Sequence, residues 1–148
     1  MNRFHQLIDN ALFRWGIALL WTVFFTVKLL QPGQQALVAA IIQPAPASIE
    51  RELLFTSLHL ITFGLTAWIW CFALRLTSDT KRVMIVLLVA LLVYGASAEL
   101  LQMRIPGRSA QWWDMLANGL GISVGITLWM NRQAIQWLKS DPHLSTYR

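Results

Sequence analysis

The chain has 148 residues, 56% of them hydrophobic and 13% charged, against roughly 45–50% apolar and 25% charged in an ordinary soluble domain. Disorder is excluded, a water-soluble domain is disfavoured, and the length fits one domain spanning 1–148. The formal net charge of +5 does not point to nucleic acid, because the twelve Lys and Arg are spread over segments that flank apolar blocks, where they set membrane orientation.

The first apolar block predicts a membrane span over about 11–30, closed by Gln31-Pro32-Gly33, which a helix does not tolerate. Lys28 lies near its end, where the stem can follow lipid while the ammonium reaches the interface. A secretory signal is the rival, since Ala45-Pro46-Ala47 has small residues at cleavage-like spacing. That site lies well beyond the block, however, and favours an uncleaved anchor. Residues 34–52 hold only a short apolar run before Pro44 and Pro46, which reads as a loop with an interfacial or re-entrant turn.

The second span covers about 53–74, free of formal charge and carrying His59 and a single cysteine, Cys71. One cysteine excludes an intrachain disulfide and a cysteine-based zinc site. The third span covers about 83–101 and the fourth about 112–130. The expected fold is therefore an all-α membrane protein, a four-transmembrane-helix bundle in the inner (plasma) membrane. Arg3, Arg14, Arg75, Lys81, Arg82, Arg132, Lys139 and Arg148 share one side, against Lys28, Arg51, Arg104 and Arg108 on the other, which makes both termini cytoplasmic. Trp15, Trp68, Trp70, Trp129 and Trp137 are expected at the inner interface and Trp112 and Trp113 at the outer one.

With that orientation the connection between spans three and four faces outward, and the polar residues gather around it. Glu99 and Gln102 share a face of span three, and Asp114 and Asn118 share a face of span four. Gly121 and Gly125 continue the latter face and Gly95 lies one turn before Glu99, so the glycines are expected to pack spans three and four closely beneath a polar pocket. Glu99 needs a partner, because a carboxylate at a helix centre costs about 2.5–3.5 kcal/mol. Arg104 or Arg108 could supply it. Arg108, just past the Pro106-Gly107 turn, can pair with Glu99 or Asp114, or hold an incoming phosphate or carboxylate. His59, about 10 Å into span two at 1.5 Å per residue, should lie at the depth of Glu99, and Thr62 and Thr66 follow it at helical spacing.

The run from Ala98-Glu99 through Gln102 and Pro106-Gly107-Arg108, followed by Asp114, Asn118, Gly119, Gly121 and Gly125, resembles the signature of VanZ-like membrane proteins. A histidine early in an earlier span is also typical of that family, and His59 occupies its place. The family often carries an Asp-Lys pair three to four residues before that histidine, where this chain has Phe55 and Thr56. The resemblance implies a small integral membrane protein of the cell envelope, similar to an accessory factor associated with resistance to the glycopeptide teicoplanin.

Three functions fit these residues. In the first, the outward pocket binds a lipid headgroup or cell-wall precursor, with Arg108 on the anion and Glu99, Gln102, Asp114, Asn118 and His59 orienting it. The second is an intramembrane enzyme acting on such a headgroup, with His59 or Glu99 as acid or base, although no nucleophile motif surrounds Ser97 or Ser109. The third is a structural or assembly subunit. A transporter is disfavoured unless the chain oligomerises. No cofactor is implied and no diagnostic metal-ligand spacing is present, although carboxylates and imidazole could also take a divalent metal. Membrane lipids are the expected partners.

Overall fold

The computed structural model describes residues 10–30, 49–77, 80–105 and 112–140, with side chains at 50, 51 and 137–140 left aside. The described residues form four helices and no strand: α1 (Ala11–Leu30), α2 (Ile49–Leu74), α3 (Lys81–Gln102) and α4 (Trp112–Ser140). The expected loop over 34–52 and the Ala45-Pro46-Ala47 site lie outside the described residues up to 48, whereas 49–52 are not loop but the first turn of α2.

Contacts between side chains give the topology. Arg14 reaches Ala73 and Phe25 stacks edge-on against Phe63, so α1 and α2 are antiparallel. Thr56 meets Asp114 and His59 meets Asn118, so α2 and α4 are parallel. Asn118 reaches Glu99 while Gly119 faces Leu92, which sets α3 antiparallel to α4. The result is an up-down-up-down bundle in which α2 is central, packed most extensively on α4 and also touching α1 and α3.

Burial follows helical periodicity. On α1 the buried positions are Arg14, Ala18, Phe25 and Leu29; on α3 they are Leu87, Leu91, Gly95, Ala98, Glu99 and Gln102. Each set recurs at intervals that place it on one stripe. The opposite faces carry large apolar side chains in the open, such as Leu12, Leu20, Val86 and Leu100. A surface this apolar is suited to lipid, where helix association rests on close packing and interhelical hydrogen bonds rather than on hydrophobic burial.

Close packing is concentrated between α2 and α4. A Cβ at Gly121 would overlap the carbonyl oxygen of Leu60, and one at Gly125 would overlap that of Gly64. Gly121 and Gly125, four apart on α4, thus let its backbone lie directly on α2, where Gly64 is the complementary small residue. This corrects the expected partner: the glycines of α4 pack on α2, not on α3. Gly95 of α3 instead faces Phe63 and Asn118, where an added Cβ would lie 3.2 Å from the phenyl ring.

Interhelical hydrogen bonds tie the rest. Trp21 donates to Thr66 at 2.9 Å, Trp70 donates to Thr22 at 3.1 Å, and Thr26 bonds Tyr94 at 2.8 Å. At the end of α2, Leu76 N–H donates to Cys71 C=O and Arg75 N–H to Phe72 C=O, a Schellman cap with Arg75 at φ 49° in the position that favours glycine. Arg14 Nε donates to Ala73 C=O and Trp129 Nε1 to Leu76 C=O, so this helix end is capped by side chains from α1 and α4. Trp129 is therefore buried, 4% exposed, and turned inward onto the end of α2. Trp112 and Trp113 are exposed and stacked on one another.

Three helices are long and apolar enough to cross a membrane: α1, α2 from Glu52, and α3. α4 is long enough, but Asp114, Asn118 and a polar second half from Asn131 lower its apolar content. It also continues ten residues past the expected end at 130.

Candidate functional site

The parallel run of α2 beside α4 sets the site. Thr56 and His59 are three apart on α2, and Asp114 and Asn118 are four apart on α4, so two successive pairs face each other across the glycine contact. Glu99 enters from α3, one turn before that helix ends, and Asp114 sits in the first turn of α4. The cluster therefore lies at the end of the bundle where α3 stops and α4 begins.

All four principal side chains are buried: His59 is 8% exposed, Glu99 2%, Asp114 8% and Asn118 3%. Asn118 is the hub. Its Nδ2 donates to Glu99 Oε1 at 3.3 Å, and its Oδ1 lies 2.9 Å from His59 Nδ1. A carboxylate oxygen can only accept from the amide, which fixes the amide's orientation and directs its oxygen at the histidine. His59 Nδ1 is then the protonated nitrogen and donates to Asn118 Oδ1, with the Glu99 carboxylate 3.4 Å away. The imidazole plane lies nearly parallel to the Phe63 ring, 12° apart, which holds it on its other face. Thr56 Oγ1 donates to Asp114 Oδ1 at 3.0 Å.

One ligand atom each from His59, Glu99 and Asp114 lies within 4.8 Å of the other two. Two ionised carboxylates at that separation repel by about 3–4 kcal/mol at an effective dielectric of 20. A neighbouring positive charge, whether imidazolium or an added cation, lowers that cost.

The remaining residues singled out in the sequence are placed as follows. Gln102 is buried and donates from Nε2 to Leu29 C=O at 3.3 Å, tying the end of α3 to the end of α1. Arg104 is exposed, and Arg108 and Ser109 lie outside the described residues. Among the described residues Glu99 meets His59 and Asn118. Ser97 donates back to Val93 C=O within α3. Thr66 is fully buried and accepts from Trp21, whereas Thr62 bonds its own helix at Leu58 C=O. Sequence reasoning missed Thr56 as a member of the cluster. Its place three residues before His59, at the position of the family's missing pair, was the available signal.

A chain whose described elements are all helices, three of them suited to crossing a bilayer, with a buried polar cluster gathered from three helices, is a small membrane protein of helical-bundle type. It belongs to the VanZ/LLP1 family, whose model matches residues 13–136 and so takes in most of each of the four described helices. No curated protein and no solved structure matches the chain.

Proposed function

We propose that this protein is a multi-pass protein of the inner membrane whose polar cluster opens to the outer face and binds the anionic headgroup of a lipid or a lipid-linked cell-wall precursor. All four helices cross the bilayer in this reading. At 1.5 Å per residue the 29 residues of α4 reach about 44 Å, and its polar positions Asp114 and Asn118 are sheltered by α2 and α3. The sequence puts eight Lys and Arg on the side of the termini and four on the other, which favours cytoplasmic termini and an outward site.

The observation that carries the proposal is the convergence of His59, Glu99, Asp114 and Asn118, all buried, one turn in from a helix-bundle end. Ionisable groups within a membrane-spanning bundle are costly and mark sites by default. Arg108, four residues beyond the exposed Arg104, would hold the anion while the cluster orients its hydroxyl or amine groups. A role in teicoplanin susceptibility, which the family resemblance suggests, would follow from occupancy of such a headgroup.

Native mass spectrometry of the detergent-solubilised chain tests this, comparing phosphatidylglycerol with diacylglycerol of the same acyl chains. Retention of phosphatidylglycerol at least tenfold above diacylglycerol, lost in Arg108→Gln at an unchanged level of folded protein, is expected. Equal retention of the two lipids overturns the proposal. The alternative of an intramembrane enzyme draws on one specific feature, the His59 tautomer. With Nδ1–H engaged by Asn118 and Glu99, Nε2 keeps its lone pair and is suited to act as a general base.

A further inference from the structure

We propose that His59, Glu99 and Asp114 form a binding site for one divalent first-row metal ion, of the kind that accepts mixed imidazole and carboxylate donors, such as Zn²⁺ or Mn²⁺. The inference goes beyond headgroup binding and does not depend on it.

The donor set comes first. One imidazole and two carboxylates supply three protein ligands of the type found in open metal sites, which leave further positions for water or an incoming oxygen. The three residues come from three different helices, so their convergence is a property of the packed bundle and not of chain proximity. Geometry comes second. Around a metal with bonds of about 2.1 Å, neighbouring ligand atoms are about 3.0–3.4 Å apart and opposite ones about 4.2 Å. One ligand atom from each residue here already lies within 4.8 Å of the other two, close to the span a single ion needs, and with Nδ1–H held by Asn118 it is Nε2 that would ligate.

Surroundings come third. Each donor is more than nine-tenths buried, unlike the exposed acidic clusters common on protein surfaces. Partners that are not themselves among the three donors fix the orientation of all of them: Asn118 bonds both His59 and Glu99, and Thr56 bonds Asp114. Outer partners of this kind hold metal ligands in place, and losing one typically costs 10–100-fold in affinity. Glu99 also lies in the last turn of α3, where the helix dipole favours a cation.

The test uses the full chain in detergent, stripped with EDTA and dialysed, with His5 and His143 both changed to alanine so that His59 is the sole histidine. Zn²⁺ binding is measured by competition with a chromophoric chelator and Mn²⁺ binding by loss of the free-ion electron paramagnetic resonance signal. The expected result is one equivalent per chain, with affinity lowered at least tenfold in His59→Ala and in the near-isosteric Glu99→Gln and Asp114→Asn. Thr62→Ala, whose hydroxyl serves only its own helix, should bind as the parent does. Size-exclusion profiles establish that each variant is folded; if His59→Ala fails that check, the two near-isosteric variants decide. Absence of a stoichiometric site, or binding that survives all the folded substitutions, overturns the proposal. Because no lipid is added, and because lipid retention can be measured separately in EDTA, failure of the metal site and failure of headgroup binding give different outcomes.

Discussion

Gly121→Ala should destabilise the bundle by about 2–3 kcal/mol, although it adds only one methyl group and raises helix propensity. The new Cβ would meet the carbonyl oxygen and carbon of Leu60 and the nitrogen of Gly64, all backbone atoms that cannot turn aside. Restoring an ordinary C···O contact of about 3.3 Å requires α2 and α4 to separate by about 1 Å. A gap of that size forfeits a quarter to a half of the dispersion energy at each contact it opens. Gly125→Ala should cost as much, since its Cβ would overlap Gly64 C=O. The double variant should cost little more than either alone, because one separation accommodates both methyl groups. A double-mutant cycle should therefore return an interaction energy of about −2 kcal/mol. The assay is reversible unfolding of the detergent-solubilised chain by SDS, followed by far-ultraviolet circular dichroism. Gly119→Ala is the control, its added Cβ making only an ordinary 3.6 Å contact with Leu92. The reasoning is refuted if Gly121→Ala lies within 0.5 kcal/mol of the parent on the ordinary scale of surface substitutions, or if Gly119→Ala costs as much.

Two further outcomes follow from the α2 terminus and can be read in the same unfolding assay. Arg75→Gly should raise stability by about 1 kcal/mol, because glycine adopts the left-handed conformation at φ 49° without the Cβ penalty. Trp129→Phe should lower it by about 1–3 kcal/mol, because the indole N–H that satisfies Leu76 C=O at 2.8 Å is removed from a buried position.

The four described helices and most of their limits were legible in the sequence, because apolar blocks bounded by charge, proline or glycine favour long helices. The first helix ends where Gln31-Pro32-Gly33 begins, as the breakers predict. What the sequence did not reveal is which helix faces which. Gly121 and Gly125 announce a close contact, but a small residue says nothing about its partner, and the neighbouring span in sequence was the wrong guess. Gly64 was the missing half, a single glycine between Thr62 and Thr66 whose partner across the bundle the sequence does not name. Trp129 shows the same limit. An indole near a helix end can lie at headgroup depth or turn inward to cap another helix, and only the position of Leu76 C=O decides it.

The glycine contact and the polar cluster are one construction. Asn118 lies three residues before Gly121, and His59 one residue before Leu60, whose carbonyl rests against that glycine. The backbone approach that a missing Cβ permits is therefore what brings the Asn118 amide within 2.9 Å of the imidazole and, through its other arm, to Glu99. Any side chain at 121 large enough to push α4 outward would open the His59–Asn118 bond before it disrupted the distant Trp129–Leu76 cap. Loss of the cluster's contacts should thus precede loss of the fold, and a glycine that touches no polar atom of the site becomes a determinant of what the site can hold. This also accounts for the division of labour along α4. Its first half carries Asp114, Asn118 and the two glycines against α2 and α3. Its second half carries Trp129 against the opposite end of α2, with Arg132 5.7 Å from the Trp129 ring.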